Sequence, residues 1–344
     1  MRMSAMGDVA MTVPVVAAVR RANPSMRITI VTRPFFRPFF ADVADVEFAD
    51  VDLKGRHKGV QGIRLLAKEL LAEGADAVAD FHGVLRSHLL RSVMSLHGCR
   101  TARIHKGRVE KRKLIKEGYT QCKPLKTSIE RYVDVVRRLR IDIDDLDGWA
   151  PSERAIPEQF AERTKAGLWI GVSPFAMHQG KAYPIELMEQ AIKQMSPETE
   201  RIFVFGGGAE EKRLAEQMEG VADNVESVVG VMSLAEELSL MANLDVMVAM
   251  DSSAMHMSSL VGTQAVTVWG ATHTHAGFYG FGQDPANALQ AELPCRPCSV
   301  FGNKPCKYGD YRCMLAVKPE EVARKTIEVA RKSRWCEKNN EQTK

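Results

Sequence analysis

The sequence predicts two α/β domains built on parallel sheets. Short apolar runs rich in β-branched residues alternate with amphipathic helical segments along most of the chain. With 45% apolar and 26% charged residues the composition is ordinary for a globular protein, and 344 residues are enough for two domains of typical size. Disordered and collagen-like classes are therefore excluded.

The first half holds one series of alternating elements, which we assign to an N-terminal domain over residues 1–150. The predicted strands are 27–32, 46–51, 76–81 and 101–105. The predicted helices, whose apolar residues recur at core-facing spacing, are 60–71, 85–96 and 128–139. The stretch 140–165 is acidic and weakly periodic, so we expect the interdomain linker there.

A second series follows and forms a C-terminal domain over residues 166–335. Its predicted strands are 168–173, 201–205, 225–229, 245–250 and 264–269. Its predicted helices are 184–195, 210–219, 234–242, 254–261 and 319–331. Ser233 and Glu236 form a capping box at the start of the third of these helices. Two open α/β domains of this kind predict a ligand cleft at the carboxyl ends of their strands.

Charge and hydropathy exclude several classes of partner. The balance of 47 basic and 43 acidic residues gives a net charge of +4, which is too small to indicate a nucleic-acid-binding protein. We see no apolar run of the roughly 18 residues that a membrane span needs, and no secretory leader. We therefore expect a cytoplasmic protein.

The segment SAMGDVAMTVP at residues 4–14 is the first candidate for chemistry. Gly7 and Asp8 are predicted to lie in a turn that leads into a helix. A carboxylate at this position either caps the helix or acts as a general base.

The segment MDSSAMH at residues 250–256 is the second candidate. Asp251 ends a predicted strand, and Ser252 and Ser253 precede a helix whose free amide groups suit a phosphate. His256 falls in the first turn of that helix. The alternative is that the serines only cap the helix and that the histidine is structural.

Two further segments of the second half contain residues suited to an anionic ligand. Lys181 lies in a loop between a strand and a helix, where it either contacts the same anion or is simply solvated. Gly206 and Gly207 follow a strand and permit close approach of a ligand, although the pattern is neither G-x-G-x-x-G nor a Walker loop.

Taken together, these segments resemble glycosyltransferase family 9, the bacterial heptosyltransferases of lipopolysaccharide synthesis. The resemblance rests on six motifs in order: S-x-M-G-D-V at 4–9, D-F-H-G at 80–83 with Arg86 and Ser87, G-K-x-Y-P at 180–184, M-S-L at 232–234, D-S-S-A-M-H at 251–256 and W-G-A-T-H at 269–273. It implies a GT-B fold, with two Rossmann-like domains facing a central cleft. It also implies an inverting mechanism with ADP-heptose as donor.

The resemblance assigns roles residue by residue. Asp8 becomes the catalytic base, and the acceptor side receives Gly7, His82 and Arg86. Lys181 becomes the donor-phosphate contact. The remaining donor-binding residues are Asp251, Ser252, Ser253, His256, Gly206 and Gly207.

The implied acceptor is the lipopolysaccharide inner core or lipid A, and no cofactor is required for transfer. Such an acceptor places the protein at the inner face of the inner membrane. The basic tract 106–126, which we assign to the N-terminal domain, suits an anionic membrane surface or a phosphorylated acceptor.

The sequence departs from the family pattern in three places. Only Met1–Met3 precede the first motif, where the family has a full apolar strand, so we expect that strand to be short or absent. M-S-L-A replaces M-S-L-E, with Glu236 one position later, and W-G-A-T-H replaces G-P-T-D.

Four cysteines, Cys295, Cys298, Cys306 and Cys313, cluster with the spacing C-x2-C-x7-C-x6-C. This pattern suits a structural zinc ion, reduced thiols packed in a loop, or disulfides. We expect the loop to be structural and remote from the transfer reaction.

Three other functions fit parts of the sequence. A nicotinamide-dependent oxidoreductase fits the α/β pattern but lacks G-x-G-x-x-G. A non-catalytic nucleotide-binding protein would use Asp8 only as a helix cap. A transferase of another sugar nucleotide would share the reaction class.

Overall fold

The computed structural model describes the backbone of residues 1–341 and the side chains of residues 1–334. The chain divides into two compact units. The first unit comprises Met1–Gly107 and Lys126–Pro151. The second unit comprises Arg108–Leu125 and the chain from Ser152 onward.

The first unit contains four short strands and five helices. The strands are β1 (Ile28–Thr32), β2 (Val46–Asp50), β3 (Ala77–Asp80) and β4 (Arg100–Arg103). The helices are α1 (Met6–Ala10), α2 (Val13–Ala22), α3 (Gly59–Ala72), α4 (Leu85–Leu96) and α6 (Ser128–Arg138). The strands form two parallel pairs, β1 with β2 and β3 with β4.

The core of the first unit forms where the apolar faces of the helices meet the strands. Leu66 of α3 and Leu90 and Met94 of α4 are at most 1% exposed and pack with Val31 of β1 and Val78 of β3. Helix α6 begins at a capping box in which Thr127 accepts a hydrogen bond from the Glu130 amide. Its apolar stripe then faces inward, as the spacing predicts.

The second unit is built on one six-stranded sheet in which every pairing is parallel. Its strands, in spatial order, are β10 (Ala288–Gln290), β9 (Ala265–Trp269), β8 (Val246–Met250), β5 (Trp169–Ser173), β6 (Arg201–Val204) and β7 (Val225–Ser227). Its helices are α5 (Arg108–Glu117), α7 (Ile185–Met195), α8 (Ala209–Met218), α9 (Leu234–Ala242), α10 (Ser253–Leu260), α11 (Arg312–Leu315) and α12 (Pro319–Glu341).

Strands β5, β8 and β9 are buried at every position, because helices cover both faces of the sheet. This explains why their sequences are continuously apolar rather than alternating. Since β5 lies between β6 and β8, the loops that follow these three strands leave the sheet at the same edge.

The predicted α/β class with parallel sheets is confirmed, and each predicted strand is present to within two residues. Four elements were not predicted: α1, α5, β10 and α11. Gly7 and Asp8 lie inside the short helix α1 rather than in a turn. None of the described helices is long and apolar enough to cross a membrane.

One expectation about chain organisation is wrong. We assigned the basic tract 106–126 to the N-terminal domain, but Arg108–Leu125 packs with the second unit. The Lys111 ammonium lies 3.8 Å from the centre of the Phe278 ring, and the Leu125 amide donates to the His275 carbonyl at 2.9 Å. These contacts are between residues far apart in sequence, so no local pattern could have revealed them.

Candidate active site

A buried ion pair joins two of the predicted donor-binding residues in the second unit. Asp251 directly follows β8, and Lys181 lies in the turn after β5. Because β5 and β8 are neighbours, the Lys181 Nζ comes within 2.8 Å of Asp251 Oδ2. The side chains are 16% and 5% exposed. Because this ion pair is shielded from water, removing either partner would leave an unpaired buried charge and destabilise the protein.

Helix α10 begins two residues after Asp251 and presents its amino end at the same edge of the sheet. Ser252 is its N-cap residue with an extended backbone, but its side chain does not cap the helix. The Ser252 Oγ is buried and has no hydrogen-bond partner among the described residues. Ser253 opens the helix, and His256 is buried in its first turn. The uncapped amide groups suit an anion.

The glycines after β6 keep the backbone close to neighbouring groups. A Cβ at Gly206 would lie 2.8 Å from the Phe175 ring, so a side chain would not fit there without rearrangement. A Cβ at Gly207 would meet no atom within 4 Å, and the Gly207 amide donates to Glu211 Oε2 at 2.7 Å. Gly206 is therefore required by packing, and Gly207 leaves open space beside α8.

The loop that carries the cysteine cluster packs directly on the Lys181 segment. The Tyr311 hydroxyl donates to Gln179 Oε1 at 3.1 Å. A Cβ at Gly302 would lie 2.6 Å from Lys181 Cγ. We expected this loop to be remote from the transfer residues, and that expectation is wrong with respect to Lys181. The loop sets the path of the Lys181 side chain.

The four cysteines of this loop are free thiols and line one small cavity of about 20 Å³. Disulfides are thus absent from the loop. Burial raises the thiol pKa of Cys298 and of Cys313. For Cys306 burial is the largest single effect and raises the thiol pKa, but four backbone amide hydrogen bonds together outweigh it, so the pKa is lowered. Within residues 1–334 no group of three or more His, Cys, Asp or Glu side chains is arranged to hold a metal ion.

An aromatic stack borders a second open cavity of about 520 Å³ in the second unit. The Tyr119 ring stacks on His273, with 4.4 Å between ring centres, and His275 packs edge-on against His273 at 4.5 Å. Burial, reinforced by the Arg296 guanidinium, lowers the His273 pKa to about 3. His273 is therefore a neutral ring that supports Tyr119.

The predicted base, Asp8, lies in the first unit, where a buried arginine side chain contacts it. The Arg2 guanidinium donates a hydrogen bond to the Asp8 carboxylate. The Asp8 side chain is 30% exposed, whereas Arg2 is 9% exposed. The Tyr132 hydroxyl donates to the Asp8 carbonyl at 3.3 Å, which ties α1 to α6. These contacts orient Asp8, and its carboxylate remains partly exposed to solvent.

The D-F-H-G turn positions the predicted acceptor-side residues in the same unit. Asp80 accepts hydrogen bonds from the amides of His82 and Gly83, both at 2.9 Å, which fixes the turn. His82 Nε2 lies 3.2 Å from Ser4 Oγ. Burial, with the nearby Arg2 charge, lowers the His82 pKa to about 4. Arg86 is exposed, and its positive charge also lowers the pKa of His82.

The predicted residues thus form two groups. Gly7, Asp8, His82 and Arg86 belong to the first unit, with Gly7 buried in α1. The donor-binding residues named from the sequence all belong to the second unit. Sequence reasoning missed Arg2 and Tyr119. A charged residue among apolar neighbours at the start of the chain could have indicated Arg2, but no sequence signal indicates Tyr119.

Comparison with known proteins identifies the family. The family model for glycosyltransferase family 9 (heptosyltransferase) matches residues 63–309. A search of curated protein sequences finds no match to this chain. Among solved structures, the family 9 glycosyl transferase from Veillonella parvula is 18% identical, with 96% of each chain covered and a TM-score of 0.72.

Two Escherichia coli structures are also similar. The ADP-heptose lipopolysaccharide heptosyltransferase II is 14% identical, with 97% of this chain and all of that chain covered (100%), and a TM-score of 0.68. Heptosyltransferase WaaC with ADP-2-deoxy-2-fluoro heptose is 19% identical, with 94% and 96% covered and a TM-score of 0.64. The fold is therefore the GT-B type of these enzymes. The chain belongs to glycosyltransferase family 9, the heptosyltransferase family, and is a glycosyltransferase.

Proposed function

We propose that this enzyme transfers a heptose from ADP-heptose to the lipopolysaccharide inner core or to a lipid A acceptor, with inversion at the anomeric carbon. One observation carries the proposal. A buried lysine and an uncapped helix amino end lie after neighbouring parallel strands of the second unit. Cationic and amide donors at that position suit a diphosphate.

In this proposal the second unit binds the donor and the first unit binds the acceptor. Lys181 contacts the donor phosphates, and Asp251 holds the lysine in place through their 2.8 Å pair. Ser252, Ser253 and His256 contribute the amide and side-chain donors of α10. Gly206 and Gly207 allow the nucleotide to approach the backbone after β6.

The similar structures support the choice of donor. WaaC from E. coli has been solved with ADP and with ADP-2-deoxy-2-fluoro heptose, and heptosyltransferase II is named for ADP-heptose. The family assignment sets aside the oxidoreductase and the non-catalytic alternatives.

The proposed reaction is a single displacement. The acceptor hydroxyl oxygen forms a bond to the anomeric carbon as the bond from that carbon to the diphosphate oxygen breaks. Asp8 takes the hydroxyl proton, and ADP leaves with the bonding electron pair. Lys181 and the α10 amides stabilise the charge that develops on the leaving group, where each such donor contributes about 3 kcal/mol to lowering the barrier. No cofactor takes part in this step.

On the acceptor side we assign Gly7, His82 and Arg86. The exposed Arg86 suits an anionic group of the acceptor. His82 is neutral at pH 7, because its pKa is about 4, and so serves as a hydrogen-bonding group rather than as a charge.

We further propose that the enzyme is cytoplasmic and binds the inner face of the inner membrane. The segment Arg108–Leu125, which packs with the second unit, carries five exposed cations: Arg108, Arg112, Lys113, Lys116 and Lys123. Such a group attracts anionic lipids. Binding to anionic vesicles should fall as salt rises, whereas binding that does not respond to salt contradicts this role.

The donor and acceptor are tested together by a nucleotide-release assay. The protein is incubated with a panel of ADP- and UDP-sugars and with truncated lipopolysaccharide. We expect release of ADP from ADP-heptose only when the acceptor is present. Release from a UDP-sugar instead would mean that the enzyme transfers a different sugar.

A further inference from the structure

An open cavity of about 520 Å³ lies at the carboxyl ends of β9 and β10 in the second unit. Three segments line it: the turn after β9, the last residue of β10 and the segment that follows α5. The lining includes His273 and His275 from the first of these, Gln290 from the second, and Tyr119 and Lys123 from the third. The cavity therefore opens at the same edge of the sheet as the loops after β5 and β8.

The turn after β9 connects this cavity to the turn that carries Lys181. The Ala271 amide donates to the Gly180 carbonyl at 2.8 Å. His273 is two residues beyond Ala271, so its Cα lies at most about 7 Å from the Ala271 Cα. Between them, the Thr272 Oγ1 is buried and has no hydrogen-bond partner among the described residues. Buried hydroxyls are normally paired, so a ligand that reaches from Lys181 to the cavity would be placed to supply the missing partner.

The strand order indicates which part of the donor comes nearest to the cavity. From β6 the sheet continues through β5, β8, β9 and β10. The proposed function places the nucleotide at the glycines after β6 and the diphosphate at Lys181 after β5 and at Ser252 after β8. In a nucleotide sugar the diphosphate lies between the nucleoside and the sugar. The sugar therefore falls at the next strand end, which is that of β9.

The two histidines that line the cavity supply neutral hydrogen-bonding groups. Burial lowers the pKa of His273 to about 3, so its ring is uncharged at pH 7. His273 Nδ1 accepts a hydrogen bond from the His275 amide at 3.1 Å, which places the ring proton on Nε2 as a donor. His275 Nδ1 is buried without a hydrogen-bond partner among the residues that the structure describes. These groups suit the hydroxyls of a ligand better than a charged group.

The other walls of the cavity also suit a sugar ring. Tyr119 supplies an aromatic ring and a hydroxyl, which match the C–H faces and the hydroxyl edges of a sugar. Gln290 adds a side-chain amide, which the Arg296 guanidinium orients by donating to Gln290 Oε1 at 3.2 Å. Lys123 is the only Lys or Arg among the described lining residues, so little in the cavity favours an anion. A neutral polyhydroxylated ligand fits this set of groups best.

We propose that this cavity is the subsite for the sugar of the donor, and that Tyr119 and His273 determine which sugar it accepts. The inference rests on the proposed function, which places the diphosphate at Lys181. Tyr119 packs against one face of the sugar, and His273 Nε2 donates to one of its hydroxyls. Because the subsite belongs to the second unit alone, binding of the donor fills it without an acceptor.

Cys122 provides a direct measure of occupancy, because its half-buried thiol lines the cavity. The full chain is treated with iodoacetamide, and alkylation of Cys122 is followed by peptide mass spectrometry. Saturating ADP-heptose should slow that alkylation at least about threefold, whereas saturating ADP should not slow it. Equal protection by both ligands, or by neither, would overturn the proposal. If the parent enzyme turns over a different sugar nucleotide, the proposed choice of donor is wrong, and that sugar nucleotide replaces ADP-heptose in this test.

Variants at the two specificity residues give an independent readout. Tyr119→Leu and His273→Asp should each raise the KM for ADP-heptose at least about tenfold, because each removes a contact with the sugar. The Kd for ADP and the KM for truncated lipopolysaccharide should both stay within about twofold of the parent. His273→Asn should recover most of the donor KM. Asparagine and aspartate can both accept the His275 amide, but only asparagine also donates to a hydroxyl.

Phe278→Leu is the matched control. Phe278 contacts the same segment through the Lys111 ammonium at 3.8 Å, but it is not among the residues that line the cavity. The donor KM should therefore stay as it is in the parent. An equal rise in Phe278→Leu would mean that docking of the segment matters rather than contact with the sugar. A rise in the acceptor KM without a rise in the donor KM would mean that the cavity binds a sugar of the acceptor, and the proposal would fail.

Discussion

The ammonium of Lys181 lies 2.8 Å from the carboxylate of Asp251, and both side chains are largely buried. The pair has a counterpart at the other end of β8, where Lys165 Nζ lies 3.0 Å from Asp245 Oδ1. Asp245 immediately precedes β8 and Asp251 immediately follows it. The two pairs are chemically alike, but only the Lys181 pair lies at the edge that we assign to the donor.

Variants of the two ion pairs can be compared to separate a role of Lys181 in ligand binding from a role in stability alone. Lys181→Met should lower the free energy of unfolding by about 3 kcal/mol, because it leaves Asp251 buried and unpaired. The double change Lys181→Met/Asp251→Asn should recover much of that stability. ADP affinity should stay about tenfold weaker in both variants, measured by calorimetry.

The control for this prediction is Lys165→Met. It should also cost stability, although less than Lys181→Met because Asp245 keeps the hydrogen bond from the Trp169 amide at 2.7 Å, and it should leave ADP affinity unchanged. Recovery of ADP binding in the double variant would mean that Lys181 serves only to neutralise Asp251.

Gly302 should matter for donor binding through the Lys181 side chain. Gly302→Ala places a Cβ 2.6 Å from Lys181 Cγ, at a residue whose φ is +73°. We expect ADP affinity to fall at least about threefold, an effect of roughly 0.7 kcal/mol. Gly309→Ala is the matched control, because φ there is +76° and no atom lies within 4 Å of the added Cβ. Equal losses of affinity in both variants would point to backbone strain alone.

His82 should make the protein less stable in mild acid. Its pKa of about 4 lies below the ordinary value of 6.5, so the folded state disfavours the protonated ring. Stability should therefore fall as pH drops from about 6.5 to about 4 and level off below. His82→Gln should remove on the order of 3 kcal/mol of that loss in urea unfolding.

The exposed His97 provides the comparison for this titration. His97→Gln should leave the pH dependence of stability as it is in the parent. If His82→Gln also leaves the slope unchanged between pH 6.5 and 4, the buried environment of His82 is not what destabilises the protein in acid.

We propose that the cysteine cluster binds one structural zinc ion. The four thiols line one small cavity, and four thiolates are the ligand set of many structural zinc sites. Purified protein should then contain about one zinc per chain by elemental analysis, and Cys298→Ser should lose it together with thermal stability. Protein that is free of zinc and equally stable contradicts the metal and leaves reduced thiols.

The central strands of the second unit, such as β8 and β9, were predictable because their residues are buried on both faces and are therefore mostly apolar. The capping box at Ser233 likewise depends only on local chemistry, and the Glu236 amide donates to Ser233 Oγ as that pattern predicts. Packing across long stretches of chain was not predictable. The stacking of Tyr119 on His273 joins residues more than 150 positions apart, and nothing in either segment indicates it.

In the candidate site, too, features set by local sequence were predictable and long-range contacts were not. The positions of Lys181 and Asp251 after neighbouring strands follow from the α/β pattern, but their ion pair depends on the strand order β8–β5–β6, which the sequence leaves open. The contact of the cysteine loop with Lys181 is of the same kind. It arises from the return of the chain after β10, and it reversed our expectation that this loop would lie away from the transfer residues.

The turnover of Asp8→Asn with ADP-heptose and truncated lipopolysaccharide tests the assignment of the catalytic base most directly. We expect kcat to fall by about a hundredfold or more. ADP affinity should stay within about twofold of the parent, because the donor groups belong to the second unit. Turnover within about threefold of the parent, in a variant that remains folded, would contradict the assignment of Asp8 as the catalytic base.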